Sequence, residues 1–501
     1  MDVADRACNL ECVKRAPPRH EFVGPVKIVL MEPLPEDYSR KACGSGCLSL
    51  ANLFMGAVVF TIFFFTLTFK LDYPENVHIL LCTMGFQLFL PAGIMMANSL
   101  FGGAAQLRPS ARKVQHFLLQ VFAILCGIGG SALVFLFGSA EKKLTIHSIT
   151  GAAGVLLMAL TSLIGPTVFV TDDTKSFGKF NRNAHLVFGV PAFLVSTASF
   201  MLGLMKPSFV EWSKTLAVKN FNYILMALTG IYSLLMLNAM QLRLSLSEQS
   251  TDWIKFYDKK SQSFLKMDDN NNIEPVIEPE RPKPKLKCVL KFASPMSVSM
   301  IENFGDIYIR GALCALGIGL SQVFMGGVLI IIVIYGRHFK DDHARFCSFG
   351  YHFFVVEAIL SLSYINGWAT PLRTRHRRLA HVVLQVCGFV CAAYGIVQVT
   401  IREGVSKTVH GLSGAILAVL TVLSFVVGPF ILKNVHRAHT LHIVFGIPTL
   451  LMSGICVCYG LLKPEFTDWA GLDLVRILIG FVMFYCILIA VTTIMKCLKR
   501  I

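Results

Sequence analysis

The chain has 501 residues, of which 54% are hydrophobic and only 15% charged, and its mean hydropathy is +0.62. This composition excludes a soluble enzyme and describes a multispan membrane protein. The net charge of +16 sits beside apolar runs with no folded soluble module around it, so nucleic acid is not expected as a partner and the lipid bilayer is.

Residues 1–46 are a polar segment without the basic, apolar and cleavage-site pattern of a signal peptide, so the first apolar run is expected to direct insertion. Cys43 and Cys47 at its end are candidates for palmitoylation. The fifteen cysteines otherwise show no metal-ligand spacing. Six apolar runs follow near 47–69, 79–101, 115–137, 147–170, 185–205 and 220–242. Residues 243–312 are polar and include Glu278-Pro279-Glu280-Arg281-Pro282-Lys283-Pro284-Lys285, which reads as a semi-extended linker. Its Asp268-Asp269-Asn270-Asn271-Asn272 lacks the glycine and closing glutamate of a calcium loop. Six more runs lie near 313–335, 346–367, 379–399, 410–432, 442–462 and 474–496. The expected fold is an all-α membrane protein of twelve transmembrane helices, each run matching the ~20 residues that cross a bilayer.

Basic residues follow alternate runs: Arg108, Arg112 and Lys113; Arg373, Arg375, Arg377 and Arg378; Lys433 and Arg437; Lys496, Lys499 and Arg500. All lie on one side if both termini do, and the positive-inside rule makes that side cytosolic. Which membrane holds the chain is left open.

The halves repeat in specific residues. Gly203-Leu204-Met205-Lys206-Pro207 returns as Gly460-Leu461-Leu462-Lys463-Pro464, and Phe54-Met55-Gly56 as Phe324-Met325-Gly326. His116 with Gln120 returns as His381 with Gln385, and His185 with Pro191 as His442 with Pro448. His147 precedes Gly165-Pro166 as His410 precedes Gly428-Pro429. Six runs per repeat is an even number, so the repeats, 47–242 and 313–501, are parallel.

In the second repeat His352, His381, His410 and His442 stand near the starts of four successive runs. The gaps between them are nearly even, each the length of one membrane span plus a short loop. Consecutive spans alternate in direction, so the first and third histidines share one depth and the second and fourth the other. Two imidazoles facing each other in a helical bundle suit the axial positions of haem iron. No acidic residue is recognised deep in a run, which counts against an ion-coupled twelve-helix solute transporter. That class, and a membrane scaffold with a degenerate first repeat, are the alternatives.

With these residues both halves resemble the cytochrome b561 family, whose four inner helices hold two b-type haems through one histidine each. The resemblance implies a transmembrane ascorbate-dependent reductase. Its outer pair would be His352 and His410 and its inner pair His381 and His442. The first repeat would keep the inner pair His116 and His185, but Gln87 aligns with His352 at the same sequence offset that relates His116 to His381. His147 would then be unpaired, bonded to Gln87 or to water. Met84 and His78 are alternatives for the missing ligand. Three haem b groups per chain are expected, with two or four as the alternative counts. Ascorbate is the implied cytosolic donor, met by Arg377, Arg378 and Arg437 in one repeat and by Lys113 and Arg182 in the other. Monodehydroascorbate or a ferric chelate is the implied outer acceptor. An outer loop containing Arg337, His338, Lys340, His343 and Arg345 would attract it, moderated by Asp341 and Asp342. A homodimer is compatible with the resemblance.

Overall fold

The computed structural model describes residues 35–105, 107–137, 145–170, 176–242, 304–363, 368–404, 406–432 and 436–498. Most of the expected N-terminal segment, nearly all of the linker with its Asp268–Asn272 run, and Lys433, Lys499 and Arg500 lie outside these residues. No strand occurs among the described residues. One compact unit, Lys41–Ala239 with Ala312–Ile501, contains both repeats.

Twelve long helices carry the fold among the described residues. The first repeat has α1 (Pro35–Thr68), α2 (Tyr73–Ala97), α3 (Pro109–Phe137), α4 (Ile146–Val170), α5 (Ser176–Gly203) and α6 (Phe221–Leu242). The second has α7 (Phe304–His338), α8, α9 (Thr374–Glu403), α10 (Val409–Leu432), α11 (His436–Leu461) and α12 (Leu472–Leu498). Helix α8 is a continuous stack of an α segment Asp342–Ser348, a π turn Phe349–Val355 and an α segment Val356–Ser361. Among the described residues eleven helices are long and apolar enough to cross a membrane, one fewer than the sequence suggests. The exception is α8, which is short and carries Asp342, His343, Arg345, His352 and Glu357. Helix α1 begins before residue 47 and α7 takes in residues 304–312, so the helices extend beyond the apolar runs at both places.

Each repeat packs two helix pairs side by side, α4 on α5 and α10 on α11, with α2 on α3 and α8 on α9. Aromatic side chains on the outer helices fill the remaining space. Phe64 contacts both Trp212 and Trp469 edge-on or tilted, so the two tryptophans of the repeated Lys-Pro loops converge on one ring.

The repeats meet along α1 and α7. A Cβ added at Gly56 would fall on the Val323 carbonyl, and one added at Gly326 on the Leu53 carbonyl. The contact is reciprocal, as at a two-fold interface. Small residues let membrane helices approach at the backbone, where no apolar driving force separates lipid from protein. Asn52 Nδ2 donates to the Gly319 carbonyl across the same contact at 2.6 Å. Phe60 stacks edge-on against Phe324 and Phe481 beside it.

Candidate functional site

Four pairs of imidazoles face one another inside the two bundles. His116 of α3 meets His185 of α5 with ring centroids 6.0 Å apart and planes at 82°. His381 of α9 meets His442 of α11 at 6.0 Å and 80°. At the opposite ends of the helices His78 of α2 meets His147 of α4 at 6.4 Å and 87°. His343 of α8 meets His410 of α10 at 5.8 Å and 82°.

The expected pairing of His352 with His410 is therefore corrected: the partner is His343, earlier on the same helix. The expected solitude of His147 is corrected with it, because His78 faces it. His343 lies in the first turn of α8, where the Asp341 side chain accepts the Ala344 N–H at 3.1 Å. Asp341-Asp342-His343 is thus a capped helix start with acids against the positive end of the dipole, not part of an outer loop. In the first repeat Asp72, Pro74 and Glu75 open α2 in the corresponding place. His78 and His343 are related by the same sequence offset as His116 and His381.

His352 points elsewhere. Its Nδ1 lies 2.7 Å from the Tyr485 hydroxyl of α12. With Nδ1 on the Tyr485 hydroxyl and the side chain only 2% exposed, it faces a tyrosine where the paired histidines face a second imidazole. Gln87 holds the equivalent place and accepts from the Tyr232 hydroxyl of α6. Met84 lies on the π turn Thr83–Phe89 of α2. Each repeat thus has a π turn carrying a buried, tyrosine-bonded polar group, and such turns re-aim side chains within a helix.

The eight paired histidines share one second contact. Nδ1 of His78 lies 2.9 Å from the Gly130 carbonyl, and that of His343 3.2 Å from Gly395. His147 and His410 reach Ser199 and Cys456 at 2.9 and 3.0 Å. His116 and His381 reach Gly93 and Ala358 at 2.8 and 2.9 Å. His185 and His442 reach Thr161 and Ser424 at 3.3 and 3.0 Å. A carbonyl only accepts, so each Nδ1 carries the proton and each lone pair lies on Nε2. A main-chain acceptor that fixes the tautomer is the usual outer contact of a metal-binding histidine. Two rings about 6 Å apart leave room for one metal bonded at ~2 Å to each Nε2.

Local sequence explains much of this placement. Thr161 and Ser424 each lie five residues before a proline within their helix, Pro166 and Pro429. The glycine of the repeated Lys-Pro motif lets a ring lie against the helix. A Cβ on Gly203 would stand 3.4 Å from His147 Cε1, and one on Gly460 3.2 Å from His410 Cε1. On α5 His185 and Ser199 mark the two levels of the first repeat, and on α11 His442 and Cys456 mark those of the second at the same spacing. That spacing corresponds to about 21 Å of helix rise between the levels.

Of the cations expected beside the inner pairs, Arg378, Arg437, Lys113 and Arg182 are exposed. Arg377 is buried instead, and its guanidinium donates to the carbonyls of Leu372 and Thr370 at 2.8 and 3.1 Å. It braces the α8–α9 connection. Glu357 corrects a further expectation, since it is an acid within the eighth run that is only 8% exposed. No cluster of three or more metal-binding His, Cys, Asp or Glu occurs among the described residues, so the imidazoles stand in pairs.

A family model for eukaryotic cytochrome b561 matches twice, over residues 77–210 and 342–467. The chain belongs to the cytochrome b561 family. It carries two copies of that family's domain, and each match begins within a residue of the outer histidine that the apolar runs alone did not single out. Curated relatives are more distant. The transmembrane ascorbate-dependent reductase CYB561 of Ovis aries is 29% identical over 140 residues, which is 27% of this chain and 54% of the relative. The Homo sapiens protein of that name is 27% identical over 137 residues, 26% of this chain and 53% of the relative. The chain thus matches about half the length of these relatives. No solved structure gives a significant match. The family is one of haem b proteins, and paired Nδ1-bonded imidazoles fit that group.

Proposed function

We propose that the chain is a transmembrane electron-transfer reductase with four haem b groups, two in each repeat. The ligands are His116 with His185 and His381 with His442 at the inner level, and His78 with His147 and His343 with His410 at the outer level. The observation that carries this reading is the set of eight imidazoles, each held by a backbone acceptor at equivalent places in both repeats. Bound haem would supply one-electron chemistry at each level.

The protein's own groups do the rest. The carbonyls lock each imidazole as the Nδ1–H tautomer, and the helix pairs hold facing rings at a fixed distance. The apolar bundle keeps water from the space between levels. Exposed Arg378 and Arg437, with Lys113 and Arg182 in the first repeat, draw the ascorbate anion to the inner face, and an arginine fork matches its planar enediolate oxygens. Monodehydroascorbate or a ferric chelate accepts the electron at the outer face. Both termini and the linker are cytosolic in this reading.

The test is the haem-to-protein ratio of the purified full-length chain, with its optical spectrum. Four non-covalent b-type haems per chain are expected, reduced by ascorbate and showing the low-spin spectrum of two imidazole ligands. Three would restore a first repeat deficient at its outer level. A folded but colourless preparation from haem-replete cells would refute the assignment altogether.

A further inference from the structure

Glu357 is a buried acid that the proposed electron path does not use. It sits on α8 immediately before Ala358, whose carbonyl accepts the Nδ1–H of His381 at 2.9 Å. Its two oxygens face two nitrogen donors. Trp368 Nε1 donates to Oε2 at 2.7 Å and Gln322 Nε2 to Oε1 at 3.2 Å. Both contacts stabilise a carboxylate. The indole N–H can only donate, but an amide can turn to present oxygen instead of nitrogen. Gln322 is therefore able to satisfy the carboxylate through its NH₂ and the carboxylic acid through its C=O. The partners tolerate both states of Glu357.

The ionisable groups on neighbouring elements are otherwise committed. His381 bonds Ala358, and Arg377 bonds the Leu372 and Thr370 carbonyls. His352, earlier on α8, bonds Tyr485. Arg373, at the N-cap position of α9, has a contact of its own, and α7 contributes the uncharged Gln322. The first repeat provides an internal comparison. At the offset that relates His78 to His343 and His116 to His381, Ala92 stands for Glu357 and Gly103 for Trp368; Asn52, which the repeated Phe-Met-Gly run aligns with Gln322, bonds Gly319 instead. All three members of the group are absent there.

We infer that Glu357 is a proton-binding site coupled to the inner electron-transfer level of the second repeat alone. This inference rests on the haem assignment above. An electron arriving at the His381–His442 level adds one negative charge in a medium of low dielectric, where nearby charges interact strongly. One proton taken from water at the cytosolic face converts the Glu357 carboxylate to the acid and leaves the local charge unchanged. When the electron moves on, the proton is released. The first repeat passes its electron with no such proton.

The experiment is an optical redox titration of the purified full-length chain at several pH values across the neutral range. One spectral component should become harder to reduce as pH rises, by up to a tenfold change in its one-electron equilibrium per pH unit, about 59 mV. In Glu357→Gln that component should lose its pH dependence and stay as easily reduced as it is at acid pH. Glu357→Asp should keep the slope. A second measurement needs no variant: the reduced-minus-oxidised infrared spectrum of the unaltered chain should gain a protonated-carboxyl C=O band. An unchanged slope in Glu357→Gln, or no such band in the unaltered chain, would overturn the inference. Absence of haem would instead overturn the histidine assignment on which it rests.

Discussion

Replacing His343 by alanine is expected to remove one haem of four, whereas replacing His352 should leave all four in place. The two histidines share one helix, and sequence spacing favours the second. The structure separates them by their partners. His343 faces His410 with its Nδ1 on the Gly395 carbonyl, while His352 faces the Tyr485 hydroxyl. His352→Ala should therefore act on stability, because it strands the buried Tyr485 hydroxyl at a cost of about 1–3 kcal/mol. His147→Ala should also remove one haem, because His78 gives it a partner. Transmembrane flux from ascorbate, followed in proteoliposomes holding a ferric chelate, should fall to about half in His343→Ala, since the first repeat still has both levels. Combined with His78→Ala it should vanish. Full haem content in His343→Ala, or loss of flux in His352→Ala with its fold intact, would contradict this pairing.

Gly56→Leu is expected to prevent the two repeats from assembling, and Gly326→Leu should do the same. At either position the new side chain meets a main-chain carbonyl of the facing helix, not a side chain that can rotate away. Overpacking inside a core costs about 1–3 kcal/mol and more where the backbone must move. Even Gly56→Ala should lie at or above the top of that range. Gly46 is the control, because a Cβ there meets nothing within 4 Å, so Gly46→Ala on the same helix should be neutral or stabilise by up to ~1 kcal/mol. Thermal unfolding and gel filtration of these variants in detergent decide the matter. Equal stability of Gly56→Ala and Gly46→Ala would show that α1 and α7 do not meet as described.

The helices and the duplication were legible because a membrane writes both in long apolar runs and repeated polar punctuation. The facing of His116 by His185, and of His381 by His442, followed from one histidine at each helix start and alternating helix direction. His343 was missed for a local reason. Its flanking Asp341, Asp342 and Arg345 resemble a charged loop, although the same residues cap and neutralise a helix end. The offset between the repeats already joined it to His78, while even spacing of apolar runs pointed to His352. Glu357 escaped because the hydrophobic average of 346–367 conceals a single acid, and its acceptability there depends on Gln322 and Trp368, which come from other parts of the chain. The contact of Gly56 with Gly326 was visible only as a repeated tripeptide. No periodicity within one helix tells which other helix its glycine touches.

The reciprocal glycine seam has an evolutionary consequence. Two identical subunits joined across such a seam must change together, since every substitution appears twice. A fused chain is released from that constraint. Asn52 has become a clasp between the halves while Gln322 serves an acid, and Ala92 and Glu357 have parted company at matching depths. In the proposed reading the molecule is a pair of parallel conductors locked at one-to-one stoichiometry, and pH sets the ease of reduction of one conductor while the other runs on unaffected.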